Sequence, residues 1–188
     1  MNQDYFYYRI NEEVVKSIQT SSVSEFSKNH PVFSPVIEAG SIIKSDSYVI
    51  GGWVRDLFLD RKSKDVDIVT SQNGIELAQK TAEVLGNIQV SVFKNFGTAM
   101  IKSKDIEYEF VGARKESYSK DSRNPIVEPG SIKDDQLRRD FTINTLSIGL
   151  TGKDAGLLLD PFNGISDLRK GIIRTPLDPI TTYSDDPL

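Results

Sequence analysis

The stretch Tyr48-Val49-Ile50-Gly51-Gly52-Trp53-Val54-Arg55-Asp56 constrains this chain more than any other. An apolar, β-favouring triplet runs into two glycines, and a helical pattern then opens with Val54, Leu57 and Phe58 on one side. Strand, glycine turn and helix N-terminus together make an anion-binding geometry. Glycine admits positive φ and lets the backbone approach a phosphate, while the free N–H groups of the first helical turn point at the anion. Arg55 and Asp56 fall in that first turn. A short loop later, Lys64-Asp65-Val66-Asp67-Ile68-Val69 alternates, so a strand here sends Asp65 and Asp67 to one face and Val66 and Ile68 to the other. Two carboxylates on one face repel unless a cation lies between them. Mg²⁺ suits such a pair, because it takes hard oxygen ligands and keeps room for water and substrate phosphates. Either half alone also suits a plain turn and an exposed edge strand; their order in the chain favours a metal–nucleotide site. A dinucleotide fingerprint is excluded, since its third spaced glycine is missing.

A chain of 188 residues can bury a full core without covalent staples. The absence of cysteine excludes disulfides, zinc–thiolate sites and cysteine nucleophiles. The one histidine, His30, precedes Pro31, which excludes a multi-histidine metal site and places His30 in a loop with no catalytic role. The first residues lack a basic region followed by an apolar core, and no apolar run reaches membrane-spanning length. The expectation is a soluble, cytoplasmic protein with no membrane partner. Net charge is −4, from 27 acidic and 23 basic residues, whereas binding a phosphate backbone normally leaves a basic footprint. Basic residues cluster locally at Arg55, Arg61, Lys62 and Lys64, at Arg114, Lys115, Lys120 and Arg123, and at Arg138-Arg139. A large polynucleotide is therefore expected to be gripped mostly by something outside this chain.

Residues 11–28 have helical character, with Val14, Val15, Ile18 and Phe26 inward and Thr20-Ser21-Ser22 weakening the middle. Pro31 and Pro35 bracket a second short helix reaching about Ile43. The clearest helix runs from Gly74 to Leu85, with Ile75, Ala78, Ala82 and Leu85 on one stripe and Gly86 ending it. Strands are expected at 88–93, 98–102 and 105–111. The last alternates, with Glu107 and Glu109 on one face. That spacing first suits a solvated strand face, yet beside Asp65 and Asp67 it would supply a third carboxylate for a two-metal site. Residues 112–130 read as a long polar segment without regular structure. Ser131, followed three residues on by acid, then signals a helix start. The adjacent Arg138 and Arg139 can contact triphosphate oxygens in bidentate fashion, although Arg-Arg-Asp also occurs as an ordinary helix surface.

These residues resemble the catalytic head of class II tRNA CCA-adding enzymes and their bacterial poly(A) polymerase relatives, in the polymerase-β nucleotidyltransferase superfamily. The resemblance rests on Gly51-Gly52-Trp53-Val54-Arg55-Asp56, Lys64-Asp65-Val66-Asp67, Phe96-Gly97-Thr98-Ala99 and Tyr108-Glu109 with Arg114. It continues through Arg138-Arg139-Asp140-Phe141-Thr142-Ile143-Asn144 and Leu159-Asp160-Pro161-Phe162-Asn163-Gly164 with Asp167-Leu168. It implies an α/β fold with a small mixed, mostly antiparallel sheet flanked on one face by helices, a head domain over 47–188 and a helical N-terminal extension over 1–46. It also implies that Gly51 and Gly52 carry a triphosphate supported by Arg55 and Asp56. Asp65, Asp67 and Glu109 would be the catalytic carboxylates holding two Mg²⁺ ions, with Glu107 the fallback for Glu109. Arg138, Arg139, Asp140 and Asn144 would line the nucleotide's sugar and phosphates, Asn144 meeting the ribose hydroxyls. Residues 113–130 resemble a flexible loop implicated in changing from C to A addition. The implied reaction adds CMP and AMP from CTP and ATP to the 3′ end of tRNA. Poly(A) addition and a non-catalytic scaffold that keeps the fold are the alternatives. The family normally continues beyond Asp185-Asp186-Pro187-Leu188 into a base-selecting neck, a body and a tail, so the chain is expected to hold the chemical centre without them.

Overall fold

A computed structural model describes residues 10–117 and 126–185. Its frame is a seven-stranded sheet with strand order β3-β4-β5-β2-β1-β8-β9, where β1 is Ser47–Ile50, β2 Asp65–Thr70, β3 Val90–Phe93, β4 Thr98–Ser103, β5 Ile106–Gly112, β8 Ser147–Thr151 and β9 Leu158–Leu159. Every pairing is antiparallel except that of β2 with β5. The sheet is thus mixed and mostly antiparallel, as expected. Parallel neighbours need a crossover, which here consists of helix α5 (Gly74–Val84) and the β3–β4 hairpin.

The N-terminal helices and α5 lie on one face because the strands alternate, whereas Ile132 of a later helix packs on the other. Val66 and Ile68 of β2 and Tyr108 and Phe110 of β5 are all buried in one core with Val49, Ala99, Ile101, Ile148 and Leu150. Helices α1 (Glu12–Thr20), α2 (Val23–Asn29) and α3 (Ser34–Ile43) contribute Val15, Ile18, Phe26, Val36 and Ala39 to that same core. The N-terminal helices and the sheet therefore share one apolar interior. On the opposite face, Ile50, Val69 and Ala113 form a small second cluster, against which Val111 and Ile132 pack.

Several boundaries follow from local chemistry. The helical pattern of 11–28 is split in two. The Ser22 hydroxyl accepts the N–H of Glu25 and caps α2, because a serine competes for backbone donors rather than continuing a helix. Asn73 caps α5 through the N–H groups of Ile75 and Glu76. Helix α5 buries Leu77, Ala78, Thr81 and Ala82, while Ile75 and Leu85 of the expected stripe pack at its border. Ser131 and Asp134 form a reciprocal capping box that starts α6 (Ile132–Leu137).

The segment 112–130 corrects the sequence reading. Its two ends pair as an antiparallel ribbon of β6 (Arg114–Ser117) and β7 (Ile126–Pro129), with Lys115 opposite Glu128. Pro129 sits at the end of a two-stranded ribbon, where a missing N–H is tolerated. The rest of the expected flexible loop, 118–125, lies outside the described residues. Trp53 packs edge-on against Phe33, Phe26 and His30, with ring centroids 4.6, 6.4 and 5.5 Å away. It is a packing residue.

Phe33 is fully buried beneath Trp53, where the N-terminal helices meet α4 (Gly52–Phe58). Phe33→Ala is expected to cost about 3–5 kcal/mol. Urea unfolding followed by Trp53 fluorescence and by far-ultraviolet circular dichroism should shift together, as one transition. Separate transitions would show that residues 10–46 unfold independently.

Candidate active site

The site forms where β1 leaves the sheet and β2 and β5 enter it. Ile50, the last residue of β1, is the register partner of Asp67. The chain then turns at Gly51, with φ 83° and ψ −139°, and enters α4 at Gly52. A Cβ at Gly51 would lie 2.8 Å from Arg139 Nη1 and 3.1 Å from Asp67 Oδ2, and the φ itself disfavours any other residue. Gly52 is different. A Cβ there would meet only Arg55 Nη2, at 3.6 Å, so packing within the chain leaves its outer side open.

The parallel register pairs Asp65 with Glu107 and Asp67 with Glu109, so all four carboxylates rise from the face opposite the helical layer. Asp67 is half-buried and Asp65 exposed. Burial pushes the Asp67 carboxyl above its usual range, against the pull of Arg139 and with added repulsion from Asp135 and Asp65. Burial likewise raises Glu109, and Asp67 is the next cause; Arg114, Arg139 and Arg138 oppose the rise. Glu107 instead faces Lys102 at 3.9 Å. Among the described residues, no three acidic or histidine side chains converge closely enough to hold an ion as they stand. The shared face, the oxygen donors and the raised proton affinity of Asp67 and Glu109 are the features that suit a hard cation.

Two arginines stand beside this face, and a residue that the sequence reading missed holds them. Asp135 on α6 is fully buried. Its Oδ1 accepts from Arg138 Nη2 at 2.7 Å and Nε at 3.0 Å, and its Oδ2 accepts from Arg139 Nη2 at 3.5 Å. Arg139 then reaches to within 3.8 Å of Asp67 Oδ2. Its Nε is buried and makes no hydrogen bond among the described residues. The signal was present as spacing, since Asp135 lies three and four residues before the arginines on a helical turn. Neighbouring Gln136, also buried, donates to the Thr145 carbonyl at 2.8 Å and to Ser147 Oγ at 3.1 Å, fixing α6 to the start of β8.

The remaining expected nucleotide ligands form a second group. Arg55 Nη1 donates to Asn144 Oδ1 at 2.8 Å, and Arg55 pairs with Asp56 at 2.9 Å. Asn144 Nδ2 donates to Asp140 Oδ1 at 2.9 Å, which also accepts the Phe141 N–H at 2.7 Å. Asp56, Arg55, Asn144 and Asp140 are thus one continuous polar chain. Arg55 also borders a cleft of about 1110 Å³ on the helical side, with Arg61, Ile143 and Asp167 among its lining residues. The carboxylates do not line that cleft.

A sheet bearing paired carboxylates on adjacent strands beside a glycine turn, with helices on the other face, is a nucleotidyltransferase fold. The Poly A polymerase head domain family matches residues 47–174, and the chain belongs to that family. It is 42% identical over 142 residues to an A-adding tRNA nucleotidyltransferase of Aquifex aeolicus, covering 76% of this chain and 17% of that protein. A CCA-adding enzyme of Limosilactobacillus fermentum is 34% identical over 167 residues, covering 88% of this chain and 38% of that one. Among solved structures, a tRNA nucleotidyltransferase complexed with a primer tRNA and an incoming ATP analog superposes with a TM-score of 0.69 at 37% identity, covering 81% of this chain and 41% of that one. The chain therefore spans less than half the length of these relatives.

The raised carboxyl of Asp67 sets the sign of a pH effect. Protons bind the folded state more tightly, so this group's contribution to stability is full below the ordinary aspartate value of 3.8 and is lost as pH rises through the folded value. Asp67→Asn should therefore raise the melting temperature of the metal-free chain at neutral pH, and the gain should vanish below that ordinary value; thermal scans across pH check this. For Asp135→Ala the expected effect is opposite and larger. It leaves two part-buried cations without their carboxylate and should cost about 3 kcal/mol, near the low end for a broken buried pair because Arg138 keeps solvent contact. Denaturant titration measures that loss.

Proposed function

We propose that this chain is the nucleotidyl-transfer head of an RNA 3′-terminal nucleotidyltransferase, using CTP and ATP on the 3′ end of tRNA. The observation that carries this reading is the register of β2 with β5. It sets Asp67 level with Glu109, two residues from Asp65, while Gly51 brings the backbone against both Asp67 and Arg139. In the reaction, the RNA 3′-oxygen bonds to the α-phosphorus of the nucleotide, the bond to the bridging oxygen breaks, and pyrophosphate leaves. Such transfer leaves the protein little covalent work, so positioning and charge stabilisation dominate.

The geometry supports the following roles. Gly51 and the open side of Gly52 admit the triphosphate. Arg139, with an unsatisfied Nε and a guanidinium already aimed at the carboxylate face, binds phosphate oxygens, and Arg138 joins it from the other side of Asp135. Asn144 meets the ribose, its amide oriented by Arg55 and Asp140. Asp65, Asp67 and Glu109 would hold Mg²⁺, after side-chain rotation from their present positions. Bound there, the metal supplies charge neutralisation for the triphosphate and lowers the pKa of the attacking hydroxyl. Glu109 takes the third position ahead of Glu107 because it stands level with Asp67 and feels its charge, whereas Glu107 is turned toward Lys102. Residues 47–188 act as the head, and 1–46 as an extension, of which the described helices α1 to α3 pack against the sheet. No described helix is long and apolar enough to cross a membrane, which suits an enzyme working on RNA in the cytoplasm.

Addition of A alone is the second reading, favoured by the Aquifex relative, which is an A-adding enzyme. The two separate on tRNA substrates. A tRNA lacking all three terminal nucleotides should accept C, C and A under the first reading; a tRNA ending in CC that alone accepts A supports the second. Both require metal-dependent binding of nucleotide. Calorimetry should show ATP or CTP bound with Mg²⁺ and weakened by more than about 100-fold in Asp65→Ala/Asp67→Ala, beyond the loss typical of an outer-shell partner. Equal affinity with and without the carboxylates would sink the assignment.

A further inference from the structure

The block Leu159-Asp160-Pro161-Phe162-Asn163-Gly164 with Asp167 lies away from the carboxylate face, yet its contacts end on the turn that carries Asn144. Asn163 is left-handed and caps nothing with its side chain at the start of α7 (Gly164–Lys170). Asp160 does so instead, accepting the N–H groups of Gly164 at 2.6 Å and Ile165 at 3.1 Å. This seats Gly164 directly on the 3-10 turn Thr142–Asn144, where a Cβ would lie 2.3 Å from the Thr142 carbonyl oxygen. One turn further on, Asp167, only 4% exposed, accepts from Thr142 Oγ1 at 2.8 Å and from Arg174 Nε at 3.0 Å. The Thr142 N–H donates to the Arg174 carbonyl at 2.8 Å. Thr142 is thereby held through its hydroxyl, its N–H and the close seat on its carbonyl. Two residues later, Asn144 contacts Arg55 and Asp140.

We infer that this block is a strut, in which Gly164 and Asp167 clamp Thr142 and so set the placement of Asn144 and Arg55, making Asp167 a positioning residue for the nucleotide site. Its link to nucleotide binding rests on the function proposed above. A residue that merely stabilised the fold would lower the melting temperature and leave Asn144 in place in every molecule that stays folded. The clamp has a different signature.

The test follows two readouts in the folded, ¹⁵N-labelled chain: the side-chain amide resonances of Asn144, assigned through Asn144→Asp, and the affinity for Mg²⁺–ATP. Thr142→Val removes one hydroxyl and keeps the shape, so it serves where Asp167→Ala fails to fold. Both should shift the Asn144 amide resonances and weaken Mg²⁺–ATP binding by about tenfold. Thr142→Ser, which restores the hydroxyl, should keep both readouts at wild-type values. Leu77→Ala, in the core of α5, should lower stability and move neither. Asn144 resonances unchanged in Thr142→Val, or shifted equally by Leu77→Ala, would overturn the strut. Shifted resonances with undiminished nucleotide affinity would uphold the strut and remove Asn144 from the nucleotide site.

Discussion

The parallel pairing of β2 with β5 is the constraint on which the rest of this molecule depends. Each strand alternates over the residues that bear its carboxylates, which are thereby fixed to one face by the apolar residues on the other. Val66, Ile68, Tyr108 and Phe110 are buried against the helices, and they hold Asp65, Asp67 and Glu109 together despite their mutual repulsion. A slip of one residue would bring Tyr108 level with Asp67 and turn Glu109 into the core. The register is thus enforced by hydrophobic burial on the side away from the carboxylates. The antiparallel partner β1 completes the geometry, since its last residue stands level with Asp67 and delivers the Gly51 turn to the same edge.

Charge balance at that edge is deliberately uneven. Asp135 pairs with Arg138 and Arg139, and Arg139 extends its guanidinium toward Asp67. A buried pair of this kind adds little net stability, because desolvating both partners offsets most of their attraction. Its effect lies in orientation, holding a guanidinium between a buried carboxylate and an accessible one. Burial first, and neighbouring carboxylates second, hold the Asp67 and Glu109 carboxyls above their usual range against the pull of these arginines.

Much of this was legible in the sequence, for reasons that differ by element. Period-two alternation placed Asp65 with Asp67 and Glu107 with Glu109, because strand faces are set locally. What distinguishes the two glutamates is not local; it is a strand pairing across about forty residues and Lys102 on β4 beside Glu107. The break between α1 and α2 was signalled by Ser21-Ser22 as a weak point, and capping by Ser22 made it a boundary. The ribbon of β6 and β7 was read as irregular because its polar composition and its prolines mask a pairing that only the partner strand reveals. Asp135 was passed over for a similar reason. An acidic residue on a predicted helix is ordinarily solvated, and its burial depends on α6 being tied to β8 through Gln136.

The segment from Arg138 to Asn144 shows why these ties are needed. Within it Arg139 turns toward Asp67, whereas Asp140 and Asn144 meet each other and Asn144 meets Arg55. The chain leaves the helix at Arg138, extends at Phe141 and closes into a 3-10 turn. That path forfeits the repeating hydrogen bonds that make a helix stiff. Side chains replace them: Asp135 and Gln136 from one side, Asp167 and the close seat of Gly164 from the other, and Asn144 itself through Arg55. Clamps at both ends of an irregular backbone thus stand where a helix would have its own ladder of hydrogen bonds.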